Sequence, residues 1–404
     1  MGLTTMRVLW TLPYLPWPIT SGGKARQYHL LRRMAARGHA ITLLVQSKTP
    51  ADEAVQQALQ PLLERLIVVP RRSLRSPRTL WHAATSSAPL LASVNGFAPA
   101  LSQQFDALLN EHWDVIQIEH SYGFQPFADS LARRGQPFIL TEHNVESELG
   151  AATYGKWPAV LRPLAHYDQW RARRWEQRVM SRAAAIVAVT ESDARMLGAI
   201  SGRPAHVVNN GVDTRGFAQV QPDPLALAIL FVGNYEYAPN VDAVEWAAAE
   251  IMPLVWRQRP QARFLVCGHA LPDSWRQRFP DPRIEWRGYV DHLPTVQSQS
   301  TVFIAPLRFG GGSKLKVLEA LAAGLPIVST QEGLSGLGAQ DGVHARVANT
   351  AADMAQALVE VMDDPALAAR LGQSARELVN QRFDWDAAAA QLEAVYQTVQ
   401  AVPA

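Results

Sequence analysis

The sequence predicts an α/β fold made of two doubly wound domains, each built on a parallel sheet. Short apolar segments of strand type alternate with helical segments along the whole chain, as in repeated βαβ units. The chain has 404 residues, which is too long for one ordinary hydrophobic core. The segment QPDP, Gln221–Pro224, has the composition of a linker. We therefore expect an N-terminal domain over residues 1–218 and a second domain from residue 219.

Composition and charge narrow the class of protein. Hydrophobic residues make up 48% and charged residues 18% of the chain, as in a globular protein. The net charge of +2 gives no case for a nucleic-acid partner, and we expect none. The single cysteine, Cys267, lies in an apolar run and cannot form an internal disulfide. The N-terminus does not resemble a signal peptide and no apolar run approaches ~18 residues, so we expect a cytoplasmic protein.

The first unit of the chain reads as strand, turn, helix and strand. Met6–Leu12 and Ala40–Gln46 are strand-like, and a helix is predicted over Lys24–Arg37. The connecting turn is rich in proline and glycine and ends in Gly22 and Gly23. The G-x-G-x-x-G pattern is absent and no acid closes the second strand, which disfavours a dinucleotide-dependent dehydrogenase.

Two further predicted strands end in ionisable side chains. They are DVIQIEH, Asp114–His120, and FILTEHN, Phe138–Asn144. Because the carboxyl ends of parallel strands face the ligand crevice, we expect these strand ends to form one polar cluster. For Glu119 and His120, simple exposure to solvent is an equally good interpretation. No His/Asp spacing typical of a metal site is present, so no metal ligand is predicted.

The strongest functional signal is FIAPLRFGGGSKLKVLEALAAGLPIVST, Phe303–Thr330. It predicts a strand, a glycine turn, a helix over Lys314–Ala323 with Ser313 as N-cap, and a second strand after Gly324. A helix N-terminus behind a glycine turn is a ready-made anion site.

Three charged side chains of this segment strengthen the anion-site interpretation. Lys314 and Lys316 oppose the helix dipole, as expected if an anion occupies the turn. Glu319 lies on the apolar face and needs a partner, which ligand hydroxyls would supply. The alternative is a plain connecting loop with exposed lysines and a snorkelling glutamate.

Two basic, tryptophan-containing stretches leave alternatives open. Residues 71–91 are either an interfacial segment attracted to anionic lipid or a solvated loop that leads into a core helix. Residues 154–178 are helical and dense in arginine and tryptophan. They are either a site for an anionic acceptor, such as a lipid diphosphate at a membrane surface, or an amphipathic surface helix whose tryptophans pack inward.

Several of these motifs resemble family-4 retaining glycosyltransferases of the GT-B architecture. The segment LEALAAGLPIVST resembles the donor-binding signature, and NGVD at Asn210 resembles the signature at the domain boundary. The resemblance spans nearly the full length and is densest from Val207 to Gly336. The family's first glutamate position holds Gly311 here, which matches a glycine-rich subgroup resembling bacterial exopolysaccharide sugar transferases.

This resemblance implies a fold and a set of sites. Two Rossmann-like domains are expected to face each other across a cleft, the second over residues 219–385, with a terminal helix over 386–404 packing back on the first. Catalytic roles are implied for His143, Lys314 and Glu319. The implied donor contacts are Gly22, Gly23, Gly233, Asn234, Tyr289, Val290, Gly311, Gly312, Ser313 and Lys316.

The implied activity is transfer of a sugar from a nucleotide-sugar donor, a UDP- or GDP-sugar, with retention of configuration. The expected acceptor is a saccharide or lipid-linked saccharide in bacterial polysaccharide assembly, reached at the inner face of the membrane by peripheral contact. No metal or other cofactor is expected. Two alternatives stay open: a nucleotide-sugar epimerase on the same architecture, and a non-catalytic binding or scaffold subunit. The scaffold alternative would fit the turn NYEYAPN, which lacks the basic residues that many family members carry at this position.

Overall fold

The computed structural model describes residues 5–72, 76–86, 88–148, 162–310 and 314–400. It confirms the predicted fold class, because the chain forms two α/β units that each contain one parallel sheet. The first unit comprises Met1–Ile19, Gly23–Asn209 and Ala388–Ala404. The second comprises Thr20–Gly22 and Asn210–Ala387.

The sheet of the first unit has seven strands in the order β3-β2-β1-β4-β5-β6-β7. Its strands are β1 Arg7–Leu12, β2 Ala40–Ser47, β3 Arg65–Pro70, β4 Val115–Glu119, β5 Ile139–Glu142, β6 Ala185–Ala188 and β7 His206–Val207. Its helices are Gly22–Ala36, Glu53–Leu59, Pro77–Thr85, Leu90–Gly96, Pro99–Leu108, Ala128–Arg134, Arg162–Arg182 and Glu191–Ser201. The C-terminal helix, Trp385–Gln400, also packs in this unit.

The central strands of this sheet are buried on both faces, as expected when helices cover a parallel sheet on each side. Leu9 and Ile118 are fully buried on adjacent strands, and Leu44, Leu140 and Ile186 extend the same core to either side. The strand order reverses between β1 and β4, which makes their carboxyl ends the topological switch point of the unit.

The sheet of the second unit has six strands in the order β10-β9-β8-β11-β12-β13. They are β8 Ala228–Asn234, β9 Arg263–His269, β10 Ile284–Gly288, β11 Val302–Ala305, β12 Ile327–Ser329 and β13 Arg346–Val347. Its helices are Thr214–Phe217, Ala238–Trp246, Met252–Gln258, Ser274–Arg278, Leu293–Ser298, Leu315–Ala322, Ala351–Asp363 and Pro365–Arg382, with a π-helical turn over Ala247–Ile251. Here the switch point lies between β8 and β11.

Two sequence-based boundaries are corrected by the structure. The sequence predicts a helical tail over Ala351–Arg382, and the structure divides it into two helices. Asp364 caps the second helix by accepting from the N–H groups of Ala366 and Leu367, and Pro365 occupies its first turn. The helix after the glycine turn is capped by Lys314, without a side-chain hydrogen bond, and begins at Leu315. Ser313, the predicted N-cap, lies outside the described residues.

The C-terminal helix Trp385–Gln400 has polar anchors within the first unit. The Tyr396 hydroxyl donates to the Gln117 side chain inside the core. Glu393 accepts hydrogen bonds from Arg37 at 3.1 Å and pairs with His39 at 3.2 Å. Along the described part of the chain, no helix has both the length and the apolar character needed to cross a bilayer.

Candidate functional site

The predicted site residues of the first unit gather at its switch point. Gly22 and Gly23 begin the helix that follows β1, Glu119 ends β4, and His143 follows β5 directly. Because β1, β4 and β5 are parallel neighbours in the sheet, their carboxyl ends lie along one edge.

His143 is held by a buried carboxylate. Its Nε2 lies 2.9 Å from Oε2 of Glu119, and the imidazole is 8% exposed. The side-chain amide of Gln27 donates to the same carboxylate oxygen at 2.7 Å, and Gln117 donates to the other oxygen. The carboxylate therefore fixes the ring orientation and favours the tautomer with a proton on Nε2, which leaves Nδ1 as the acceptor.

Gly23 leaves open space beside that acceptor nitrogen. A Cβ atom at position 23 would lie 3.5 Å from Nδ1 of His143 and 3.0 Å from the Tyr14 hydroxyl oxygen. The predicted contact residues Gly23 and His143 are thus neighbours in space. Any larger side chain at position 23 would cover the free face of the imidazole.

Burial controls the protonation of this cluster. Burial, followed by the positive charge of Arg26, lowers the pKa of His143 well below its ordinary value of 6.5. Burial raises the pKa of Glu119, and Arg26, His120 and hydrogen bonds from Gln117 and Gln27 oppose that rise. At neutral pH His143 is therefore an uncharged imidazole, suited to accept a hydrogen bond from a hydroxyl group.

Three side chains near this edge could hold a metal ion. One ligand atom each from His120, Glu142 and Glu146 lies within 4.8 Å of the others. Sequence spacing gave no sign of this group, because its members follow two different strands.

The second unit places its predicted donor residues at the switch point between β8 and β11. Gly233 and Asn234 end β8, and Gly310 closes the turn after β11 with φ +137°. The Asn240 side chain donates to the backbone oxygen of Asn234 at 2.8 Å and accepts a hydrogen bond from Nζ of Lys316. Lys316 is thereby tied to the end of β8.

Lys314 is engaged on the other side of the same helix N-terminus. Its Nζ lies 3.0 Å from Oε1 of Glu332 and donates to the backbone oxygen of Gly310 at 3.1 Å. The side chain is buried, so the charge faces the glycine turn and not bulk solvent. The predicted contacts Gly311, Gly312 and Ser313 lie outside the described residues.

Lys316 and Glu319 form a coupled pair of ionisable groups. Burial, with the nearby charge of Lys314, lowers the pKa of Lys316 to about 7, while Glu319 acts in the opposite direction. Burial raises the pKa of Glu319 to about 7, against the attraction of Lys316. Both side chains keep some exposure, so a ligand can reach them.

Tyr289 and Val290 follow β10 at the same edge of the sheet. Tyr289 is 55% exposed and Val290 is half-buried. Gly288 before them adopts φ +68°, which turns the chain away from the strand. The exposed ring is available for stacking on a planar ligand, and no described contact ties it to Lys316 or Glu319.

Sequence reasoning missed the support around His143. Arg26 is 1% exposed and donates to the backbone oxygen of Val208 at 2.9 Å, and Gln27 is fully buried. Both lie on the inward face of the helix Gly22–Ala36, where a buried arginine next to a buried glutamine breaks the apolar pattern. That break is the signal that could have identified them.

Comparisons with known proteins agree with this arrangement. The model described as "Glycosyltransferase Family 4" matches residues 20–215, and that described as "Glycosyl transferases group 1" matches residues 226–364. The glycogen synthase of Mycobacterium tuberculosis is 25% identical over 97% of this chain and 94% of the relative. The phosphatidyl-myo-inositol mannosyltransferase of Mycolicibacterium smegmatis is 27% identical over 75% of this chain and 76% of the relative.

A solved structure extends the likeness to the whole fold. HepE of Anabaena, determined in complex with UDP and glucose, superposes with a TM-score of 0.67 at 15% identity, covering 97% of this chain and 100% of HepE.

The two doubly wound parallel-sheet units, together with the likeness to HepE over the whole chain, show the GT-B fold of glycosyltransferases. The chain belongs to glycosyltransferase family 4 and its group 1 transferases. It is therefore an enzyme that transfers a sugar, and the comparisons do not favour the epimerase or scaffold alternatives.

Proposed function

We propose that this enzyme transfers a hexosyl group from a nucleotide-sugar donor to a lipid-linked saccharide acceptor, with retention of configuration. The observation that carries the proposal is the geometry at the second switch point. There Lys316, held by Asn240, and Glu319 share one short helix that starts at the glycine turn. A cation and a carboxylate on one element would suit a nucleoside diphosphate, since the cation would pair with a phosphate and the carboxylate would accept hydrogen bonds from the ribose hydroxyls.

The diphosphate of the donor would occupy the glycine turn, with Lys314 and Lys316 beside it. As the bond to the sugar breaks, negative charge grows on the leaving phosphate, and the helix N-terminus and Lys316 stabilise it. Glu319 would accept hydrogen bonds from ribose hydroxyls, and Tyr289 with Val290 would contact the base. Because the protein supplies these positive groups itself, we propose that donor binding does not depend on a metal ion.

His143 would act on the reacting sugar or on the acceptor. Its Nε2 is held by Glu119, and Nδ1 faces the space that Gly23 leaves open. A neutral imidazole in this setting positions a hydroxyl group by accepting its hydrogen bond. Its lowered pKa makes it a weak base, so positioning is the role that we assign to it.

An exposed surface of the first unit suits a lipid-linked acceptor. We define the aromatic–arginine face as Leu164, Tyr167, Trp170 and Arg174 on the helix Arg162–Arg182. Its three apolar side chains are each more than half exposed, and Arg174 stacks over the Trp170 ring at 4.5 Å. Aromatic and basic side chains on one helix face favour the interface of an anionic bilayer. The lipid substrate named for the mycolicibacterial relative supports this choice.

A transfer assay tests the function. The enzyme is incubated with radiolabelled UDP-glucose, UDP-galactose or GDP-mannose and a bacterial lipid extract containing lipid-linked saccharides. We expect label from one donor to enter the organic phase, and NMR of the product to show the anomeric configuration of the donor. Conversion of the nucleotide sugar into its epimer, or no product from any donor, would contradict the proposal.

Donor affinity should be greatest near pH 7. Diphosphate binding favours charged Lys316, whose pKa is about 7, so affinity falls as pH rises above 7. Ribose binding favours ionised Glu319, whose pKa is also about 7, so affinity falls as pH drops below 7. Calorimetry at a series of pH values measures the affinity for the nucleotide sugar, which does not itself titrate in this range. In Lys316→Arg the affinity should no longer fall above pH 7, and in Glu319→Gln it should no longer fall below pH 7. A pH-independent affinity in the wild type would refute this assignment.

Binding to anionic vesicles should depend on the aromatic–arginine face. An arginine near an anionic surface contributes about 1 kcal/mol, so Arg174→Glu, which replaces an exposed positive charge by a negative one, should weaken partitioning at least fivefold. Sedimentation with vesicles of phosphatidylglycerol and phosphatidylcholine measures the effect. Leu225→Ser, which removes an apolar side chain that is 85% exposed in the second unit, is the control and should leave partitioning unchanged. Equal partitioning of the charge-reversed variant would exclude this face.

A further inference from the structure

The group formed by His120, Glu142 and Glu146 lies beside His143, and the ring centroids of His120 and His143 are 4.3 Å apart. It lies in the first unit, with His120 following β4, and Glu142 ending β5 four residues before Glu146. One ligand atom of each lies within 4.8 Å of the others. First-row divalent ions bind such atoms at about 2.0–2.2 Å, so ligand atoms around one ion lie roughly 3–4.4 Å apart. The three side chains therefore need only a small contraction to surround an ion.

Two atoms of this group are buried without a partner. Nδ1 of His120 and Oε2 of Glu142 form no hydrogen bond with any described residue, although His120 is 5% and Glu142 0% exposed. The other polar atom of each of these two side chains has a hydrogen-bonding partner. Nε2 of His120 lies 3.3 Å from the Tyr14 hydroxyl, and Oε1 of Glu142 accepts from the backbone N–H of Ser121 at 2.8 Å. Buried polar atoms without partners are costly, which points to a missing ligand.

The charge balance around the group points the same way. Glu176 adds a third carboxylate, which accepts from the N–H of Ser147. The carboxylates repel one another, and a bound cation would remove that repulsion.

The backbone conformation at His120 also keeps its side chain beside the two carboxylates. His120 adopts φ +64°, in the left-handed region that a histidine rarely occupies. Its ring stacks on Tyr122 at 4.8 Å, and the N–H of the next residue, Ser121, binds Glu142. The turn after β4 is thereby fixed to the end of β5, with the free imidazole nitrogen beside the carboxylates.

We propose that His120, Glu142 and Glu146 bind one divalent first-row transition cation through an imidazole nitrogen and two carboxylate oxygens. The mixed nitrogen and oxygen ligands favour Zn²⁺ over Mn²⁺, and both over Mg²⁺. The ion cross-links the ends of β4 and β5 and the segment after β5, and so supports the loop that carries His143. This site revises the sequence-based expectation that the chain binds no metal, and it leaves the proposed donor chemistry unchanged.

Calorimetry on EDTA-treated, dialysed protein tests the proposal, with ZnCl₂, MnCl₂ and MgCl₂ as titrants. We expect one high-affinity Zn²⁺ per chain, weaker Mn²⁺ binding at the same site, and Mn²⁺ displaced by Zn²⁺ in an electron paramagnetic resonance titration. Glu142→Gln should weaken Zn²⁺ binding at least tenfold, because it replaces a carboxylate by an amide of the same shape. Glu176→Gln is the matched control, which changes a neighbouring carboxylate outside the ligand set and should retain the site.

Three results of the binding measurements would overturn the proposal. They are no stoichiometric Zn²⁺ binding by the wild type, equal binding by Glu142→Gln, and loss of binding in both variants alike. If circular dichroism shows that Glu142→Gln does not fold, Glu146→Gln replaces it, since position 146 is only half-buried. A carboxylic acid band in the infrared spectrum that persists at saturating Zn²⁺ and disappears in Glu142→Gln would show that Glu142 holds a proton in place of the ion.

Discussion

Replacement of Glu319 by alanine is expected to abolish measurable binding of the nucleotide-sugar donor. The carboxylate lies on the helix Leu315–Ala322, three residues after Lys316, and burial raises its pKa to about 7. A ribose presents two hydroxyl groups, and each hydrogen bond to a charged group is worth about 1.5–3 kcal/mol. Loss of both therefore predicts an affinity at least a hundredfold lower.

Isothermal titration calorimetry of the full-length protein with the donor measures this loss. Glu377→Ala is the control, because Glu377 is an exposed carboxylate on the helix Pro365–Arg382 of the same unit. Glu319→Gln separates hydrogen bonding from charge and should fall between the wild type and the alanine variant. If Glu319→Ala bound every nucleoside diphosphate as tightly as the wild type, the ribose assignment would be wrong.

Replacement of His143 by alanine should lower turnover far more than donor affinity. Loss of one preorganised polar group that acts mainly in the transition state costs about 10²–10³ in kcat. His143 meets the structural requirements, since it is buried, oriented by Glu119 and open beside Gly23. We expect kcat to fall by about that factor while the donor Kd changes less than threefold.

Steady-state transfer kinetics and donor calorimetry on the same preparation separate these two effects. His112→Ala, which removes a strongly exposed imidazole near the start of β4, is the matched control. Glu119→Gln should lower kcat without changing the donor Kd, because Glu119 acts by orienting the ring. Equal losses of turnover and affinity in His143→Ala would identify a ground-state contact instead.

The sequence predicted the central strands well because they are buried on both faces. The apolar runs Met6–Leu12 and Ala40–Gln46 mark two of these strands to within a residue or two. Helix ends were less predictable, since capping decides them locally. The apolar spacing of residues 351–382 continues through Asp364, although that residue caps a new helix there.

The candidate site was predictable where one local motif carries it. Lys314, Lys316 and Glu319 lie within six residues, so their proximity follows from the helix alone. The hydrogen bonds that hold His143 could not be predicted, because Gln27, Glu119 and His143 come from three separate elements. The same holds for His120 and Glu142, whose proximity depends on the pairing of β4 with β5. Strand order decides which polar strand ends become neighbours, and no local spacing encodes it.

Thermal unfolding with UDP, GDP, ADP and dTDP tests the central claim, that this chain binds a nucleoside diphosphate through Lys316 and Glu319. A ligand at a hundred times its Kd stabilises the folded state by about 2.7 kcal/mol, which raises the midpoint of a unit of this size by about 5–10 °C. We predict that one of the four nucleotides gives such a shift in the wild type and that Glu319→Ala abolishes it. A midpoint unchanged by all four, or an equal shift in the variant, would contradict the account.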